Sequence, residues 1–441
     1  MKYFVKDSYN PFKTEKFIYF FSLMSAKMSS KRKKNIRVNK KPISAQQSLV
    51  NFVETLGKLL EKIEIEIVIA NWIRISNIKL GWIHDFDKLV VKYVMFSCFL
   101  HTGYVWGIDY SIVDGNHLLC SGSEDNTVCV CDVEKKEQIR LFNEHLGPVY
   151  CVKFSSYHCR NVICSSSYDK TIRFWDFKHN RQLKTLNEHT GWIGCIEFSS
   201  FNGGRYLCSG SRDKNILLWD VETYKVLHVF KGHKNTVRCL AISPLQSYSS
   251  SINNNKSNKI GTIGGNGHTI CSGSYDNTIR IWDIETTKQL NIFRGHRDQI
   301  MSVKYGSNEL GINGGANTVL SGSYDKSVRL WDIRSGQQIQ EFYGHKYAIF
   351  TVEYSPFVGN NIEVSRNSNV ICSGSADNTI CFWDIRSNKQ KLYVIKGSYE
   401  DKGIACFKFL KLKTAIKSAN NPEHCVSLCY GSYSGFVRIW Q

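Results

Sequence analysis

The chain has 441 residues, 42% of them hydrophobic, which is enough for a real core in one large domain plus an extension. Lys and Arg number 57 against 38 Asp and Glu, a formal net of +19. Residues 1–100 alone carry 18 basic and 8 acidic side chains, so basic character belongs mostly to the amino-terminal arm. No apolar run reaches the ~20 residues that a membrane-spanning helix needs, so no membrane partner is expected.

Residues 1–26 end in an apolar patch, Phe17 to Met24, behind Lys13 and Lys16. The patch is faintly signal-like. The plainer reading is a disordered leader, with Met24 or Met28 as the working start. Residues 27–41 read KMSSKRKKNIRVNKK, eight basic residues in fifteen. They suit a nuclear import signal or a nucleic-acid contact, or else a solvated tail. Aromatic residues are absent from the run, which argues against base stacking. Residues 1–43 are thus read as a basic arm predicted to be disordered. Residues 44–93 change character. Leu49, Phe52, Val53, Leu56, Leu59, Leu60 and Ile63 recur at helical spacing. Ile65 to Ile78 is a second apolar stretch, and Asp85-Phe86-Asp87 could cap a third short helix. The spacing predicts a small helical extension, packed beside the next domain or kept for a partner.

From residue 94 onward the chain repeats one sentence. It is clearest as Cys271-Ser272-Gly273-Ser274-Tyr275-Asp276-Asn277-Thr278-Ile279-Arg280-Ile281-Trp282-Asp283. Period-two alternation on both sides of a polar break reads as strand, tight turn, strand. The sentence recurs at Ser165–Asp176, Ser209–Asp220, Ser321–Asp332 and Ser373–Asp384. A histidine marks each unit, at 101, 145, 189, 233, 296 and 345. The first three gaps are 44 residues; the next, 63 and 49, hold polar insertions at Tyr248–His268 and Gly306–Asn317. A seventh, degenerate unit runs from about Gly397 to Trp440-Gln441. Ten of sixteen cysteines fall on two repeat positions, so they read as small core residues. Reduced thiols of this kind suit a cytoplasmic or nuclear protein.

The Trp-Asp dipeptide, the preceding Ser-Gly-Ser-x-Asp and the Gly-His marker together resemble the WD40 repeat family. The resemblance implies an all-β, seven-bladed propeller over 94–441. Strand 94–100 would pair with the last blade and close it. It also implies a buried His–Ser–Asp–Trp set in each blade. Complete sets are His145, Ser165, Asp169, Trp175; His189, Ser209, Asp213, Trp219; His233, Ser272, Asp276, Trp282; His296, Ser321, Asp325, Trp331; and His345, Ser373, Asp377, Trp383. Repeat one has His101, Ser121 and Asp125 but Cys131 for Trp. Repeat seven has Ser398 near the His place, Tyr430 for Ser, Ser434 for Asp, and Trp440. The ring is therefore expected to be weakest where these two meet.

Ser, His and Asp together suggest a triad, but five copies mean architecture, because catalysis needs one site. No phosphate loop, dinucleotide glycine fingerprint or HExxH is present. No catalytic residue, metal site, cofactor or small-molecule substrate is expected. Function is expected on the top face, where such propellers dock protein or peptide partners. The residues placed there are Tyr104, Trp106, Tyr150, Tyr168, Trp192, Arg212, Arg238, Tyr275, Met301, Tyr324 and Phe350. Tyr, Trp and Arg dominate interface energetics. A second implied role is substrate receptor of a cullin–RING ubiquitin ligase. Val319–Arg334 resembles the WDxR box that docks its adaptor, and Ile371–Arg386 is a near copy, which makes Arg334 and Arg386 the candidate contacts. A third is a chromatin- or RNA-associated subunit using the basic arm.

Overall fold

The computed structural model describes residues 96–99, 101–158, 161–243, 268–306, 318–356, 370–385, 391–413 and 424–440. The basic arm 1–43 and the helical extension 44–93 lie outside the described residues. So does Arg386. The chain divides into two compact units, Met1–Trp72 and Ile73–Gln441, and every described residue belongs to the second.

Seven four-stranded antiparallel sheets follow one another in the second unit. Blade one is Val105–Val113, Asn116–Ser123, Val128–Asp132 and Glu137–Phe142. Blades two to six repeat this order, each starting from an inner strand: Val149–Phe154, Ile193–Phe198, Val237–Ile242, Ile300–Tyr305 and Ile349–Tyr354. Blade seven starts at Ile404–Lys413 and continues through His424–Ser432 and Phe436–Trp440. Its fourth strand is Phe96–Phe99, which pairs antiparallel with Phe436–Trp440, Phe96 opposite Ile439. Each inner strand packs against those of the two adjacent blades, and Val105–Val113 touches both Val149–Phe154 and Ile404–Lys413. The ring is closed, with seven blades. No helix among the described residues is long and apolar enough to cross a membrane.

Burial explains the sequence pattern. The two middle strands of each blade are buried on both faces, as in Tyr206–Ser211, where all six residues are buried. Outer strands such as Gln338–Tyr343 are largely exposed. The period-two alternation therefore does not separate inside from outside. It separates apolar packing from small polar residues that bond internally. Gly273 shows how tight the packing is: a Cβ there would meet Cys239 Sγ and Ile300 Cγ2 at 2.6 Å. Aromatic pairs latch neighbouring blades. Phe142 lies against Trp175, Phe230 against Trp282, Phe293 against Trp331 and Phe342 against Trp383, with centroids 4.9–5.9 Å apart. Such a pair adds about 0.5–1.5 kcal/mol beyond its buried area.

A second layer, absent from the motif, lines the axis. The fifth residue of each inner strand is Asp109, Lys153, Glu197, Ala241, Lys304, Glu353 or Lys408. Charges alternate around the ring except at Ala241. They pair across blade boundaries: Lys153–Glu197 at 2.7 Å, Lys304–Glu353 at 3.0 Å and Lys408–Asp109 at 2.8 Å. Burial opposes the Asp109 charge, but Lys408, Lys153 and the Phe154 N–H outweigh it and hold its carboxyl below the usual range. The Lys408–Asp109 pair spans the seam between blades seven and one.

That pair predicts a seam-specific loss. Lys408→Ala leaves Asp109 without its lysine and should cost about 2 kcal/mol, reduced from a fully buried pair because Lys408 is partly exposed. Urea unfolding of Lys408→Ala, Asp109→Ala and the double variant measures it. Strict additivity of the two losses would show no coupling across the seam.

Candidate functional site

Each complete blade is organised by one serine hydroxyl. In blade four Ser272 Oγ bonds His233 Nε2 at 2.7 Å and accepts the Trp282 indole N–H at 2.8 Å. His233 Nδ1 meets Asp276 Oδ2 at 2.9 Å. The same links run through Ser165, Ser209, Ser321 and Ser373, all between 2.6 and 2.9 Å. The aspartate also fixes its turn: Asp276 Oδ1 accepts the Thr278 N–H at 3.0 Å, and Oδ2 accepts the Lys234 N–H at 2.8 Å. Asn277, between them, is left-handed with φ 62°. Asparagine tolerates that region well.

Blade one keeps His101–Ser121 at 2.8 Å and His101–Asp125 at 3.1 Å. Cys131 fills the tryptophan place, with its sulfur 3.6 Å from that of Cys129. Blade seven corrects the sequence reading. Ser434 does not act as the carboxylate's substitute; among the described residues its hydroxyl meets only Ser432 Oγ, at 3.3 Å. The carboxylate is Asp401, fully buried, accepting Tyr430 O–H at 2.9 Å, Arg438 Nε–H at 2.7 Å and Ser398 N–H at 2.7 Å. Arg438 occupies the repeat position of Arg173, Arg280 and Arg329, which was the available signal. The seam, expected to be weakest, is spanned by strand pairing, by Lys408–Asp109 and by Tyr104 stacked on Tyr433 at 4.7 Å.

Burial disfavours charge on Asp169, Asp276, Asp325 and Asp377. Hydrogen bonds from the paired histidines and nearby hydroxyls overcome it and hold these carboxyls well below their ordinary range. Burial pushes His145, His233 and His296 down, helped by Arg173, Arg280 and Arg329 respectively. Blade six has Cys381 where those blades have arginine. Burial still opposes a charged His345, but Asp377 and the Cys381 sulfur raise it to about 9.

At one end of the ring the expected face residues come together. Trp106 lies 6.0 Å from each of Tyr150, Phe350 and Tyr433, so rings from blades one, two, six and seven close the mouth of the axis. Tyr150 leads on to Trp192 at 5.1 Å, and Trp192 to Tyr275 at 6.2 Å. Tyr324 meets Phe350 edge-on at 5.5 Å. Arg238 lies over the Tyr150 ring at 5.5 Å. Tyr104, Tyr168, Tyr324 and Arg212 are exposed. Met301 and Phe350 depart from the expected surface. They are 5% and 8% exposed and form, with Ala348, an apolar floor beneath the rings. Second residues of the inner strands crowd each other at the mouth, where Trp106, Tyr275, Ala376 and Tyr433 pack against Met301 and Phe350. A cavity of about 310 Å³ opens between the turns of blades two and three, lined by Tyr168, Lys170, Thr190, Gly191, Trp192, Arg212 and Asp213. Arg334 is exposed and lies past the other end of its strand, Ser327–Asp332, from Tyr324.

A family model described as WD40, WD domain, G-beta repeat, matches residues 94–132, 136–176, 180–220, 224–283, 287–332 and 336–384. These ranges cover more than half of the chain. Each is one strand out of phase with a blade, so the first includes Phe96–Phe99 of blade seven. Cell division control protein 4 of Saccharomyces cerevisiae is 46% identical over 46 residues, 10% of this chain and 6% of that protein. That likeness has the length of one repeat, and the match spans only a small fraction of that relative.

The histidine sets predict acid sensitivity. An unfolded histidine takes up a proton near pH 6.5, whereas folded His145, His233 and His296 resist it. The unfolded state then binds more protons as pH falls, so their stabilisation is lost below about pH 6.5. The depressed aspartates add a loss of the same sign below about pH 4. His345 runs oppositely, its contribution being lost as pH rises through about 9. The urea midpoint should fall between pH 7 and pH 5; an unchanged or higher midpoint at pH 5 contradicts this reading.

Proposed function

The chain belongs to the WD40, G-beta repeat, family, and from that premise we propose that it is a non-catalytic scaffold docking a protein or peptide on the aromatic end of the propeller. The carrying observation is the composition of that end. Exposed Tyr104, Tyr168, Tyr324 and Arg212 surround half-buried Trp106, Trp192 and Arg238. Rings held by their neighbours lose little rotamer freedom on binding, and Tyr, Trp and Arg are the residue types on which interface energy concentrates. The Ser–His–Asp sets, in contrast, are repeated, buried and committed to Trp and turn contacts. Their geometry supports a structural role in each blade rather than a single reacting centre.

The ligase-receptor reading draws on one further observation, the exposure of Arg334 at the end opposite the aromatic face. A propeller used that way would hold an adaptor at one end and a substrate at the other.

A single capture experiment separates these roles. Proteins recovered from cells with the full chain are compared with those recovered by a Tyr168→Ala, Arg212→Ala, Tyr324→Ala triple variant and by Arg334→Ala. These side chains are exposed, so thermal midpoints should be unchanged. The triple variant should lose the principal partner, with binding at least about tenfold weaker. If every partner survives it, the docking face is wrongly placed. Loss of a ligase adaptor with Arg334→Ala alone would support the receptor role, and unchanged recovery removes it.

A further inference from the structure

The aromatic end is unevenly charged, and its central cation, Arg238, pairs with no anion among the described residues. Inner-strand lysines Lys153, Lys304 and Lys408 each meet a carboxylate within 3.0 Å. Arg438 meets Asp401 at 2.7 Å. Arg238 has no carboxylate within ion-pair distance among the described residues. It is held by the Tyr150 ring and by one bond, Nη1–H to the Gly194 carbonyl at 2.8 Å. A half-buried guanidinium held only by a ring face and a carbonyl keeps most of its donors and all of its charge for a further partner.

On the blade-three side the neighbouring surface has the same sign, whereas on the blade-one side exposed Glu124 lies close enough for its charge to act on Tyr150. Lys170 and Arg212 line the cleft of about 310 Å³ beside Trp192. Lys214 is exposed in the adjoining turn. The one carboxylate in the cleft wall, Asp213, is already engaged by His189 at 2.6 Å and by the Thr190 and Asn215 N–H groups. Glu144 and Glu188 are further exposed acids nearby in sequence. They follow the outermost strands Glu137–Phe142 and Arg181–Leu186, which places them at the rim.

Cations among aromatic rings could also suit single-stranded nucleic acid, which needs open ring faces for base stacking. Here the faces are largely taken. Tyr104 stacks on Tyr433, Arg238 covers Tyr150, and Trp106 is flanked by four rings. A compact cationic mouth with a side-chain-sized cleft fits a peptide better than a strand of bases.

Building on the docking role proposed above, we propose that the sector from blade two to blade four receives an acidic peptide segment, with an Asp or Glu carboxylate of the partner paired to Arg238 and a second held at Lys170 and Arg212. Guanidinium–carboxylate pairing explains why an arginine stands at this place without an internal partner.

The test selects binders to the full chain from a random peptide library displayed on phage, then titrates a labelled selected peptide. Selected sequences should be enriched in Asp and Glu. Arg238→Gln and Arg212→Gln should each weaken binding at least about tenfold. Lys225→Gln, on an outer strand, should change nothing, and all variants should keep the wild-type thermal midpoint. Neutral or basic selected peptides, or full binding by both arginine variants, would overturn the assignment. If neutral peptides are selected and Trp192→Ala releases them, the docking face stands and the acidic partner falls. If Trp192→Ala and both arginine variants all bind normally, the face itself is wrong. Failure to select any peptide, or Arg238-dependent binding of a mixed-sequence single-stranded oligonucleotide instead, would also overturn it.

Discussion

One hydroxyl oxygen per blade carries more than its size suggests. In each complete blade it accepts an indole N–H and bonds an imidazole, and the imidazole's other nitrogen holds a carboxylate. The carboxylate then sets the turn that joins the second and third strands. In blade four, whose repeat runs to 63 residues, His233 is joined this way to Asp276, 43 positions on, as firmly as in the shorter repeats. Insertions can lengthen the loops because the bonded set sits at the opposite ends of these strands. The set also explains the burial of polar residues on both faces of the middle strands: every one of its polar groups has a partner.

Seven blades create a constraint that these sets do not address. Charges that alternate around a ring of odd number cannot alternate everywhere, and Ala241 takes the position where alternation fails. The six remaining charges form three pairs, each across a blade boundary. Pairing between blades ties order around the axis to charge as well as to shape. At the seam the Lys408–Asp109 bond joins residues almost 300 positions apart, together with the strand Phe96–Phe99. Blade seven lacks the usual set yet buries Asp401 among Tyr430, Arg438 and a backbone N–H, so a different chemistry answers the same need for a satisfied buried carboxylate.

The aromatic end shows how far residue types reveal a site. Position two of the inner strands and the residue before each turn aspartate could be read as facing one end, because strand periodicity and the turn fix their direction. Which of them stay accessible could not. Met301 and Phe350 occupy the same repeat positions as Trp106 and Arg238, but near the axis the available area shrinks. Larger neighbours cover the smaller side chains, and these become floor. The isolation of Arg238 was equally hidden: a missing partner is visible only once the carboxylates of every other blade have been placed.

Repeat spacing, the Ser-Gly-Ser-x-Asp turn and the Trp-Asp strand end were legible from the residues alone. They rest on local rules, with period two in strands and left-handed residues in turns, and on five copies that reinforce one another. They were sufficient for blade, ring and closing strand. The charge circle around the axis, the Phe–Trp latches between blades and the Asp401 cluster came only with the folded ring. Each joins residues that no repeat places side by side, and a contact between separate blades has no period along the chain from which it could be read.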